Sequence, residues 1–202
     1  MKRVFTILSL ILAVALSVGA ATVLAHDGSD EGGSGSGDAT TCQTPATGGG
    51  MEAARHDSGS DSSDDIQGSD SSDDEHGAGG NDVMEGHGGN DDLNGDNGDD
   101  ELCGDQGDDN LNGGPGDDDL SGGRGNDELN GGRGDDTEAG DAGNDTVVGG
   151  GGNDVLRGGR GNDTIKARDG RTDRISCGAG NDTVKADSKD KVASNCEHVK
   201  RS

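Results

Sequence analysis

Apolar residues along this chain follow two patterns. From Val4 to about Ala20 they run almost unbroken, behind Lys2 and Arg3. Beyond Ala25 they become scarce. From Met84 they return singly, one every nine residues: Met84, Leu93, Leu102, Leu111, Leu120 and Leu129, then Val147, Leu156 and Ile165. Glu138 stands where the missing member of the series belongs. One apolar residue between polar neighbours predicts a three-residue strand with one side chain inward and two outward. Spacing this regular predicts a repeat architecture, in which every unit contributes one such strand. The Gly-rich flanks show no helical period.

The first run has the form of a secretory signal. A positive start precedes an apolar core, and Val23-Leu24-Ala25 fits the small-residue cleavage pattern, with Val18-Gly19-Ala20 as the alternative. Residues 1–25 are therefore expected to be a signal peptide. The mature chain would be secreted into an oxidising, calcium-rich space and would keep no stable membrane span. Residues 26–76 are Gly, Ser, Asp and Thr in no evident order, which predicts a disordered linker. Its runs Asp61-Ser62-Ser63-Asp64-Asp65 and Asp70-Ser71-Ser72-Asp73-Asp74 are expected to hold cations loosely at most.

Ten consecutive units fill residues 77–166. Asp recurs every nine residues at Asp82, Asp91, Asp100, Asp109, Asp118, Asp127, Asp136, Asp145, Asp154 and Asp163, with the apolar residue two places later. Gly stands two and five places before each Asp, and Asn or Asp directly precedes it. The unit resembles the haemolysin-type calcium-binding repeat, the RTX nonapeptide G-G-x-G-x-D-x-U-x. Gly122–Asn130 and Gly158–Lys166 match it completely. Ala78, His87, Asp96, Asp105 and Asp141 replace the second Gly, and those loops are expected to be weaker or less regular. The resemblance implies an all-β fold, a right-handed parallel β-roll in which two units complete a turn of 18 residues. It further implies that the sixth-position Asp residues of stacked loops share Ca2+ ions, with loop carbonyls completing the shell. Asp173 and Asp182, in degenerate units, join the ten regular Asp residues as expected ligands. Two segments, Asp117–Glu128 and Asn90–Glu101, mimic an EF-hand loop, but they lack the flanking helices that motif needs. The Arg133-Gly134-Asp135 tripeptide and the sequons at Asn144, Asn162 and Asn181 are by-products of the repeat.

Charge sharpens this picture. The chain carries 42 Asp and Glu against 16 Lys and Arg, which disfavours nucleic acid and favours cations. A core one residue wide per strand offsets little of the entropy of ordering the chain, and stacked Asp residues repel. A hard dication with oxygen ligands would neutralise the charge and supply binding energy, so folding and Ca2+ binding are expected to be one process. At Glu138, either a protonated acid lies in the core or the strand bulges to bring Ala139 or Thr137 inward. The bulge is expected, because the neighbours are small.

Residues 167–202 read as degenerate repeats and a basic cap, in which Lys185, Lys189 and Lys191 can replace Ca2+ as counter-charge. Cys177 and Cys196 lie about one turn apart and are expected to form the cap's disulfide. Cys42 and Cys103 could pair with each other, with another chain, or remain free. The basic cap could dock a cell-surface or wall polymer. No H-E-x-x-H, G-x-S-x-G or P-loop occurs, and the expectation is a binding protein, not an enzyme. A secreted calcium-binding structural or adhesion module is the leading reading. The alternative is the export or folding module of an RTX-type enzyme or toxin whose catalytic part is elsewhere.

Overall fold

The computed structural model describes residues 56–202, with side chains from Ser58 onward. The signal peptide, residues 26–55 of the expected linker, His26 and Cys42 lie outside the described residues.

All regular structure in the described residues is β-strand, in two parallel sheets. One sheet holds β1 (His56–Ser58), β3 (Asp74–His76), β5 (Asp92–Asn94), β7 (Asn110–Pro115), β9 (Glu128–Arg133), β11 (Thr146–Gly151), β13 (Thr164–Ala167), β15 (Thr183–Ala186) and β17 (His198–Arg201). The other holds β2 (Asp65–Gln67), β4 (Val83–Glu85), β6 (Glu101–Cys103), β8 (Asp119–Ser121), β10 (Thr137–Ala142), β12 (Val155–Arg160), β14 (Arg174–Ala179) and β16 (Lys191–Val192). Successive strands alternate between the sheets, so the chain winds as a β-solenoid. Residue i pairs with residue i+18, as in Leu102 with Leu120 and Leu111 with Leu129. The core is a single inward column from each sheet: Ile66, Met84, Leu102, Leu120, Leu156 and Ile175 face Leu93, Leu111, Leu129, Val147, Ile165 and Val184.

The roll begins before the regular motif. β1, β2 and β3 lie within residues 26–76, where a disordered linker was expected, and Ile66 and Glu75 take inward positions beside Met84 and Leu93. The physical reason is legible once the register is known. Gly59–Gln67 and Gly68–His76 are nonapeptide units in which Ser60 and Ser69 replace the second glycine and Ser62 and Ser71 the third.

Glu138 does not bulge out. It pairs in regular register with Leu120 and Leu156 and is fully buried. Its Oε1 accepts the Gly131 backbone N–H at 2.6 Å, and its Oε2 has no hydrogen-bond partner. The ladder on both sides of β10 holds the backbone in place more strongly than one buried acid can distort it. Burial then pushes the carboxyl pKa well above the usual range, which favours its neutral form.

Candidate metal centre

Each repeat Asp directly precedes its strand and is almost fully buried, from Asp82 to Asp182. Its two oxygens have different surroundings. Oδ1 accepts the backbone N–H of the Asp one turn earlier: Asp64 N–H donates to Asp82 Oδ1 at 2.8 Å, Asp82 N–H to Asp100 Oδ1 at 2.8 Å, and Asp100 N–H to Asp118 Oδ1 at 2.9 Å. A second ladder joins Asp91, Asp109, Asp127, Asp145 and Asp163 in the same way. Both survive the added residue before Asp173, where Asp154 N–H still reaches Asp173 Oδ1 at 3.0 Å. They end on Asp190 and on Glu197, whose Oε2 accepts the Asp182 N–H at 3.0 Å. Asp64, Asp73, Asp190 and Glu197 were not among the expected site residues, because their loops or spacings depart from the nonapeptide.

Oδ2 is the unsatisfied atom. In Asp82, Asp91, Asp100, Asp109, Asp118, Asp127, Asp136, Asp145, Asp154, Asp163 and Asp182 it is buried without a hydrogen-bond partner. In the ten regular loops, from Asp82 to Asp163, it faces the glycine five places earlier, where only the absence of a side chain leaves room. A Cβ on Gly104 would lie 2.5 Å from Asp109 Oδ2 and 2.7 Å from the carbonyl oxygen of Gly122 in the next turn. A Cβ on Gly140 would lie 2.5 Å from Asp145 Oδ2 and 2.7 Å from the Gly158 carbonyl oxygen. Gly77, Gly86, Gly95, Gly104, Gly140 and Gly158 each leave a small cradle that brings together a carboxylate oxygen and a carbonyl oxygen. Burial is the main force raising these carboxyls, with neighbouring aspartates adding to it. It lifts Asp91, Asp100, Asp118, Asp127 and Asp173 to about 6, and Asp109, Asp136 and Asp145 to about 7. Ionised, they call for a positive partner.

The donor set fits a hard cation of the calcium type, which takes carboxylate and carbonyl oxygens in flexible geometry. No group of three or more His, Cys, Asp or Glu side chains converges among the described residues, so an ion here draws on loop carbonyls as well as Asp.

Two further features support the loops. The Asn or Asp preceding each repeat Asp forms an outer ladder of opposite sense: Asn126 Oδ1 accepts the Asn144 N–H at 3.0 Å, and Asn144 Oδ1 accepts the Asn162 N–H at 2.9 Å. This explains the residue type at that position, which the repeat pattern shows but does not account for. Ala78, His87, Asp96, Asp105 and Asp141 adopt φ of 66–73°, the left-handed conformation glycine would take. These loops keep the regular shape and are strained, not irregular.

In the cap, Cys177 and Cys196 form a disulfide with Cα atoms 5.1 Å apart. Cys103 is also disulfide-bonded, and its partner is not among the described residues. The expected counter-charges differ in part. Lys189 Nζ donates to the Gly170 carbonyl at 2.7 Å, and Arg201 Nη1 to the carbonyls of Asp187 and Asp190 at 2.8 and 3.2 Å. Lys185 and Lys191 instead lie on the sheets, in register with Lys166 and Arg174.

Comparison of the sequence with curated proteins finds no significant match. The family model of the RTX calcium-binding nonapeptide repeat matches residues 76–102, 103–138 and 139–172, the stretch that carries the glycine cradles and the unsatisfied carboxylates. Residues 76–172 of this chain thus carry RTX calcium-binding nonapeptide repeats.

Proposed function

We propose that this chain is a secreted calcium-binding protein whose loops fold as they take up Ca2+, and that it acts as a structural or adhesion module at a surface, not as a catalyst. The observation that carries the reading is the row of buried Asp Oδ2 atoms without hydrogen-bond partners from Asp82 to Asp163, each facing a glycine, with a carbonyl oxygen of the next turn beside several of them. Asp82, Asp91, Asp100, Asp109, Asp118, Asp127, Asp136, Asp145, Asp154 and Asp163 would hold the ions, stacked loops sharing them. When bound, Ca2+ supplies the charge neutralisation and the missing oxygen contacts. The protein's own groups set register through Oδ1 and leave Oδ2 toward the cradle.

A partner of anionic character fits the C-terminal faces. Lys166, Lys185 and Lys200 stack in direct register on one sheet, and no ion pair of theirs occurs among the described residues. On the other sheet, Arg157, Arg174 and Lys191 border a groove of about 380 Å³, and Arg157 Nη1 is buried without a partner. Like charges stacked in this way destabilise a sheet unless something neutralises them. An acidic surface polymer would do so.

The test is a Ca2+ titration of the mature chain followed by circular dichroism. The expected result is little β signal in chelator and a cooperative gain on adding Ca2+. Full β signal in excess chelator would overturn the reading.

A further inference from the structure

The first two loops of the roll do not have the unsatisfied oxygen. Asp64 Oδ2 accepts the Ser60 backbone N–H at 2.6 Å and the Ser60 hydroxyl at 3.0 Å. Asp73 Oδ2 accepts the Ser69 N–H at 2.7 Å and the Ser69 hydroxyl at 2.9 Å. Neither serine has the positive φ that the corresponding residue adopts in the following loops, such as His87 or Asp96. That change of backbone turns an N–H toward the carboxylate. A cation needs oxygen acceptors around it, and here two donors point at the oxygen it would use. These loops still join the stack. Asp64 and Asp73 donate their N–H groups to Asp82 and Asp91, while Ser63 and Ser72 Oγ accept the N–H groups of Asn81 and Asn90.

At the other end the cradles are filled from within. The register that pairs Gly159 with Gly178 puts Cys177 in the column of Gly158, and Cys177 is fully buried. The register that pairs Val148 with Lys166 puts Ala167 in the column of Gly149, with Ala186 beside it. Both alanines are buried. A side-chain carbon therefore stands where every regular loop has none. Asp182 Oδ2 lacks a hydrogen bond, yet the cradle position five residues before it holds Cys177. Asp190 Oδ2 accepts the Asp187 N–H at 2.6 Å.

We propose that Ca2+ binding is confined to the ten loops from Gly77 to Asp163, and that residues 59–76 and 167–201 are metal-free caps, closed by serine at one end and by Ala167, Cys177 and Ala186 at the other. This rests on the reading of the central loops as calcium sites. Asp173 and Asp182, expected as ligands from the repeat pattern, then belong to the cap. The caps present the ladder register to the outermost ion-binding loops without needing ions themselves.

The experiment is Ca2+ counting by equilibrium dialysis on the mature chain and on Asp→Asn variants. These keep an acceptor for a hydrogen bond but remove the charge that a cation requires. D64N/D73N and D182N are expected to retain the full number of ions, with titration midpoints within twofold of the parent. D118N is expected to lose at least one ion and shift its midpoint severalfold. The quadruple variant S60G/S62G/S69G/S71G, which restores the nonapeptide glycines, is expected to gain ions. Loss of ions in D64N/D73N or D182N equal to that in D118N would overturn the caps and leave the calcium reading intact. No binding by the parent chain would overturn both. A parent count above ten would also overturn the confinement.

Discussion

The two stretches of core on either side of Glu138 use the same repeat in different ways. From Ile66 to Leu129 the apolar cluster is one aliphatic side chain per strand. The outer positions on this side carry Asp65, Asp74, Glu85, Asp92 and Glu101. From Val147 to Val184 the cluster gains Ala167, Cys177 and Ala186 from the glycine positions, and Val192 and Cys196 pack against it. The outer positions here carry Arg157, Lys166, Arg174, Lys185 and Lys191. The lesson is one of substitution. Where glycine leaves the loop open, the proposed reading has an ion complete it. Where a carbon fills the loop and cationic side chains cap the carbonyls, the protein completes it.

Chelation breaks the comparison most sharply. In excess chelator, hydrogen exchange is expected to show β4 to β9 unprotected, while β13 to β17 keep measurable protection. Equal loss along the whole roll would show that the cap has no stability of its own.

Acidity acts on the same stack. The folded pKa values of about 6 to 7 lie above the ordinary 3.8, so the folded chain binds more protons than the unfolded one between those limits. Stability contributed by these groups without Ca2+ is therefore fully present below about pH 4 and lost as pH rises through 6 to 7. With Ca2+ the dependence reverses, because the ion needs ionised carboxylates and competes with protons. Between pH 5 and pH 8 the β signal by circular dichroism is expected to fall in chelator and to rise with limiting Ca2+. Parallel trends would contradict the assignment of these carboxyls.

Removing the Cys177–Cys196 bridge as C177S/C196S is expected to cost about 3 kcal/mol on a loop-entropy basis, chiefly in β14 to β17. A loss of protection spread equally over the N-terminal strands would blur the distinction between the halves.

Glu138→Leu sharpens the comparison by joining the two clusters. Replacing a buried acid that has one unsatisfied oxygen by an aliphatic side chain is expected to stabilise by about 1–3 kcal/mol. It should also tighten Ca2+ binding at the Asp136 and Asp145 loops. Thermal stability and Ca2+ midpoint that stay equal or fall would show that Glu138 is no defect. The smallest effect belongs to K166Q/K185Q/K200Q, expected to weaken retention on an immobilised acidic polysaccharide severalfold without changing the Ca2+ midpoint. Unchanged retention would remove the case for that surface.

Much of this protein was legible in its residues alone. The nine-residue recurrence of Asp, Gly and one aliphatic pointed to the strands from β4 to β13, their inward column and the ten regular Asp positions, because a repeat leaves little freedom once its period is read. The 19-residue separation of Cys177 and Cys196 pointed to their pairing by the same logic. Tertiary structure decided what depends on contacts between turns. Only the stack shows that Ser60 and Ser69 turn their donors onto Asp64 and Asp73, so that a segment reading as linker becomes the first turn. Only the register shows that Ala167, Cys177 and Ala186 stand in the glycine column. Glu138 stays inward for the same reason: a backbone ladder on both sides outweighs the preference of one side chain, and residues 18 apart in sequence decide together what neither specifies alone.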